Sequence, residues 1–94
     1  MTKLIISSKF KRAVRKFTRR NSPLQARIEE TIIQMCEDSN NPSLGTHKLD
    51  GKLAGLLSCS CGYDCRIIFS IEREEGTGEI AIVLLNVGTH DEVY

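Results

Sequence analysis

No run of this chain is apolar for the roughly 20 residues that a membrane span demands, so no membrane partner is expected. Leu4-Ile5-Ile6 is too short for the core of a signal peptide, and the expected location is cytoplasmic. The sequence holds no internal repeat and no low-complexity tract, so neither a solenoid nor a biased, unstructured segment is expected. At 94 residues it has room for one domain, 1–94. A chain of that size buries somewhat over about 60% of the surface exposed on unfolding, so its core must be compact.

Acidic residues are missing from the first 27 positions, which hold nine of the thirteen Lys and Arg. From Glu29 onward twelve acids face four bases, so the net charge of +1 hides a polar division of the chain. One end can carry a positive field although the whole is nearly neutral. A polyanion suits that end, and an ordinary solvated helix face is the alternative reading.

There are four cysteines: Cys36, Cys59, Cys61 and Cys65. With no secretory signal, all four are expected to be free thiols packed as small hydrophobes. Cys59-x-Cys61-x3-Cys65 beside His47 does not have the spacing of a zinc site, since Cys59 and Cys61 would share one strand face. Neither a metal nor a cofactor is expected.

What is present reads as β-α-α-β-β-β. Lys3 to Ile6 is β-prone, and Ser7 or Ser8 can cap a helix from Lys9 to Arg20. Phe10, Ala13, Val14 and Phe17 recur at helical spacing, with Lys11, Arg12, Arg15, Lys16 and Arg19 opposite. Ser22 as cap and Pro23 at the first helical position start a second helix that runs to about Asp38. Ser39 to Ser43 is a loop by composition, and Leu44 to Gly51 is irregular. Strands are expected over Leu53–Ser60, Tyr63–Glu72 and Glu79–Val87, broken by Gly88. The fold class is therefore α+β: a two-helix hairpin packed on a mainly antiparallel twisted sheet.

Alternation along the third of these four strands sends Cys65, Ile67, Phe69 and Ile71 to the core and Asp64, Arg66, Ile68 and Ser70 the other way. Asp64 and Arg66 would then share a half-open face, with His47 upstream and His90 downstream as the chain's two imidazoles. An Asp64–Arg66 surface ion pair is the plainer reading of the first two.

Two stretches, HKLDGKLAGLLSCSCGYDCRIIF (His47–Phe69) and GTHDEVY (Gly88–Tyr94), in this order of elements resemble the RelE/ParE superfamily of bacterial type II toxins, and within it the YafQ-like mRNA endoribonucleases. The resemblance covers nearly the whole chain. It implies that His90 is the general acid, that His47 or a strand-borne Asp64 is the base, and that Arg66 grips the phosphate. Tyr94 would stack on a base or bond near the phosphate, where the YafQ pattern more often has Phe. Lys48, Lys52 and the basic helix (Lys11, Arg12, Arg15, Lys16, Arg19) would contact RNA. Ser60 stands where YafQ-like chains carry a second histidine. The implied partners are mRNA in the A site of the 70S ribosome and a cognate antitoxin, with no metal in the reaction. A ParE-like gyrase poison and a catalytically degenerate antitoxin-binding protein are the alternatives.

Overall fold

Ser7 closes a short strand and opens a helix. Its hydroxyl accepts the Phe10 N–H at 3.0 Å, so strand β1 (Thr2–Ile6) passes directly into helix α1 (Ser8–Phe17). The computed structural model describes residues 2–38 and 41–94, which leaves Ser39 and Asn40 of the expected 39–43 loop outside the described residues. Phe10 is buried, and Ala13, Val14 and Phe17 pack against the same core, as the helical stripe requires. Helix α2 (Ser22–Glu37) is capped by Asn21, whose Oδ1 accepts the Leu24 N–H at 3.1 Å. Ser22, the expected cap, is instead the first helical residue. Asn serves this position at least as well as Ser, which makes the one-residue shift cheap. The α2 face that turns inward is Ile28, Thr31 and Met35.

Beyond α2 come a 3-10 turn (Pro42–Leu44), strand β2 (His47–Lys48) and a second 3-10 turn (Gly51–Leu53). The remaining strands are β3 (Leu57–Gly62), β4 (Cys65–Arg73) and β5 (Ile80–Gly88), followed by a short helix α3 (His90–Val93). The sheet order is β1-β5-β4-β3-β2, parallel only between β1 and β5. An α+β fold with a mainly antiparallel sheet is thus what forms. The strand expected from Leu53 begins at Leu57, because Gly51–Leu53 winds into a turn. The stretch expected to be irregular contributes β2, with His47 opposite Ser58 and Lys48 opposite Leu57.

Two irregularities set which side chains face where. Ile68 pairs with Asn86 but Phe69 with Leu84, so Leu85 is an extra residue on β5. Such a bulge keeps both Leu84 and Val87, three positions apart, on the buried side. At the other end of β4, Asp64 is not on the strand. It occupies the β3–β4 turn with φ 48°, a left-handed conformation that Asp tolerates better than most residues. Cys65, Ile67 and Phe69 are buried as expected, while Ile71 lies 40% exposed. Ile68, expected on the open face, is buried as well, because α3 packs on β4 and β5 there.

The expectation of four free thiols is corrected. Cys61 and Cys65 form a disulfide across the β3–β4 turn, with Cα atoms 5.1 Å apart, inside the range such a bond requires. The antiparallel pairing of Cys59 with Ile67 and Ser60 with Arg66 leaves Cys61 and Cys65 on the same core face, and both are buried. Cys36 is half-buried and Cys59 buried, both as free thiols. Burial pushes the Cys59 thiol up to about 12, so it packs as a hydrophobe against Met35 rather than as a nucleophile. Gly62, in the same turn, has φ +141°, and a Cβ there would meet the Arg27 side chain at 2.6 Å. The φ is what favours glycine here, since the flexible Arg27 side chain could move aside.

Candidate active site

The site is built where β2 and β3 meet the final helix. His47 stands on β2, exposed, with Nδ1 3.3 Å from the Gly45 carbonyl oxygen. His90 is the first residue of α3, and its side chain is 63% exposed. Both line one open cleft of about 500 Å³, together with Lys48, Leu49, Asp50, Lys52, Leu53 and Tyr94. Two imidazoles, two ammonium groups and a phenol ring therefore share one concavity.

Several ties hold α3 in place. Thr89 accepts the Glu92 N–H at 3.3 Å, while Glu92 Oε1 accepts the Thr89 N–H at 3.0 Å, a complete capping box. The bond from the Thr89 N–H, more than any other influence, holds the Glu92 carboxyl below its usual range. Asp64 accepts the backbone N–H of His90 at 3.1 Å from across the β3–β4 turn. Val93 is buried, and the Tyr94 hydroxyl donates to the buried Ser58 hydroxyl. These contacts fix the backbone around His90 and leave most of its ring exposed to the cleft. The ring has Asp91 Oδ1 3.6 Å from Nδ1, and it meets the Tyr94 ring edge-on at 4.5 Å between centroids.

The sequence-expected residues are thus partly gathered. His47, His90, Tyr94, Lys48 and Lys52 meet in the cleft. Asp64 touches the site through the His90 backbone, not through a free carboxylate on the strand face, and it makes no ion pair with Arg66 among the described residues. Arg66 Nη1 donates to the Cys65 carbonyl at 3.1 Å and to the Ser60 hydroxyl at 3.4 Å. It lies on the α3-bearing face but does not line the cleft. Arg12, Arg15, Lys16 and Arg19 line a separate depression of about 330 Å³ on α1, and Lys11 is exposed nearby on the same helix. Lys16 also borders a smaller groove, about 190 Å³, that reaches Asn86, Val87 and Glu92, so the basic helix ends close to α3.

Sequence reasoning missed Ser58, Thr89 and Glu92. The Thr-x-x-Glu pattern at 89–92 is a legible capping signal. Nothing in the sequence around Ser58 distinguishes it from Ser60, because only the three-dimensional path of α3 gives it a partner.

No family model matches the chain, and no curated protein matches it in sequence. Solved structures do match it in shape. A YoeB/ParE toxin from Agrobacterium tumefaciens superposes with a TM-score of 0.75 at 15% identity, covering 94% of this chain and 98% of that one. A copper-bound mutant toxin from Helicobacter pylori gives 0.76 at 22% identity, with each chain covered in full. The E. coli DinJ-YafQ toxin-antitoxin complex gives 0.73 at 12% identity, covering 99% of this chain and 97% of the other. The superpositions span nearly the whole chain: it has the fold shared by the YoeB, ParE and YafQ toxins, the fold that its resemblance to the RelE/ParE superfamily implies.

Proposed function

We propose that the chain is the toxin of a type II toxin-antitoxin pair, a cytoplasmic endoribonuclease that cuts mRNA in the A site of the 70S ribosome without a metal. One observation carries this reading: His47 and His90 line a single open cleft with Lys48, Lys52 and Tyr94. Cleavage by a ribose 2′-oxygen needs a base for the 2′-proton, an acid for the departing 5′-oxygen and positive charge near the phosphorane. Imidazoles suit both proton transfers, since their ordinary pKa of about 6.5 lies near working pH. Each such group contributes roughly 10²–10⁴-fold.

In this reading His47 removes the 2′-proton as the 2′-oxygen bonds to phosphorus. His90 then delivers a proton to the 5′-oxygen as its bond to phosphorus breaks. Lys48 and Lys52 supply charge inside the cleft, where stabilising the negative charge that develops on phosphate oxygens often speeds a reaction more than any other effect. Arg66, held by Ser60 and the Cys65 carbonyl, adds a fixed positive charge on the same sheet face. Asp64 anchors His90 by its backbone, which leaves His47 as the better base. The α1 cations rest on ribosomal RNA through phosphates and read no sequence. The antitoxin is a protein that folds as it binds.

Expression of the wild-type chain is expected to arrest growth and cut translated messages, as mapped by primer extension. His90→Ala is expected to lose both, with cleavage reduced at least about 100-fold. Arrest that survives His90→Ala, with messages intact and DNA damaged, would replace the nuclease by a gyrase poison.

A further inference from the structure

Among the described residues three polar side chains are buried: Thr18, Thr31 and Ser58. The two threonines satisfy themselves locally, each donating to the carbonyl four residues earlier on its helix. Ser58 has no exposed surface at all, and its oxygen instead receives the hydroxyl of Tyr94, 36 positions away. A buried hydroxyl bonded to so distant a side chain calls for an explanation, because an apolar residue would fill the strand position at no polar cost.

Its neighbours supply one. Ser58 stands opposite His47 in the β2–β3 register, and directly opposed residues point to the same sheet face with Cβ atoms about 4.5–5.5 Å apart. Through Tyr94 it also reaches the other imidazole, since the Tyr94 and His90 rings meet edge-on at 4.5 Å and 73°. The polar partner of the His90 ring is Asp91, itself fully exposed, so the Tyr94 ring is the firmer constraint on its orientation.

We propose that Ser58 is a positioning residue: by holding Tyr94 beside the strand pair that carries His47, it sets the separation and tilt of the two imidazoles across the cleft. This rests on reading His47 and His90 as the proton-transfer pair. Ser58 touches no reacting atom and acts through Tyr94.

Ser58→Ala and Tyr94→Phe each remove one end of the tie, and the second lies at a half-exposed ring where folding is not at stake. Each is expected to lower kcat for ribosome-bound message roughly 10- to 100-fold at nearly constant KM, the cost of misplacing a reacting group by about an ångström. The double variant is expected to be no worse than either single one, because both break the same hydrogen bond. In proton NMR of the free chain, the His90 ring signals are expected to move to a common new position in both variants while the rest of the spectrum stays dispersed. Unmoved His90 signals in Ser58→Ala, or losses that multiply in the double variant, would overturn the assignment. Should the wild type cut no message, the nuclease reading fails, and the NMR comparison still decides whether Ser58 orients His90.

Discussion

Asp64 offers its carboxylate to the His90 N–H from a turn position with φ 48°. An asparagine keeps both the acceptor oxygen and the tolerance for that backbone conformation, whereas a glycine keeps only the conformation. Asp64→Asn is therefore expected to cleave message within about threefold of wild type, and Asp64→Gly to fall roughly tenfold or more as His90 loses its anchor. Single-turnover cleavage measures both. An Asn variant as impaired as the Gly variant would return the role of base to Asp64. The residue types of the site were legible because imidazoles are scarce here and both lie next to glycine-bearing breaks, at Gly45 and Gly88. The role of Asp64 was not, since strand alternation assumes a strand, and the turn consumes that position. The Cys61–Cys65 bond was missed for a different reason: alternation does put both residues on the core face across one turn, but without a secretory signal the thiols are expected to stay reduced.

Helix α3 is one turn long, and periodicity cannot signal so short an element. Its stability is carried by its caps and by the side chains that pin it. Loss of the Thr89 hydroxyl in Thr89→Ala is expected to cost about 1 kcal/mol, enough to fray a single turn, with faster amide exchange at His90 and Glu92 as the readout. The reciprocal half of the cap depends on pH. The Glu92 carboxyl is held below its ordinary value of 4.5, chiefly by the Thr89 N–H. A carboxylate favoured in the folded state contributes stability above its unfolded pKa, and that contribution fades as pH falls through the folded one. The Thr89 amide signal is expected to hold steady at neutral pH and to shift toward its unfolded position below about pH 4.5. The longer elements were readable: the α1 stripe of Phe10, Ala13, Val14 and Phe17 packs as its spacing demands. Boundaries slipped where glycine permitted a turn, as at Gly51–Leu53.

Across the whole molecule, charge is divided by element. The α1 depression holds Arg12, Arg15, Lys16 and Arg19, and the cleft of the two histidines holds Lys48 and Lys52. Lys16 also faces the groove that ends at Glu92, so the basic helix borders α3. If this face rests on ribosomal phosphates, replacing the four cations of the depression by Gln is expected to weaken ribosome binding and flatten its salt dependence. The slope of log K against log salt should drop by roughly 0.7–0.9 for each phosphate that no longer meets a cation. His90→Ala is expected to leave that slope as it is. An unchanged slope in the Gln variant would make α1 a solvated face and nothing more.

The sheet order carries a consequence for how the chain reaches this state. Among the described residues β1 pairs with β5 alone, and Thr2 pairs with Ile80, 78 positions away. Nascent residues 2–6 must therefore wait for nearly the entire sequence before anything templates them, and pairings so remote along the backbone slow folding toward milliseconds or seconds. The strand that sits between β1 and β4 is also the latest of the five to be synthesised. Until β5 emerges, β1 has no partner strand and β4 keeps a bare edge, so the sheet and the seat it gives His90 take shape together and late.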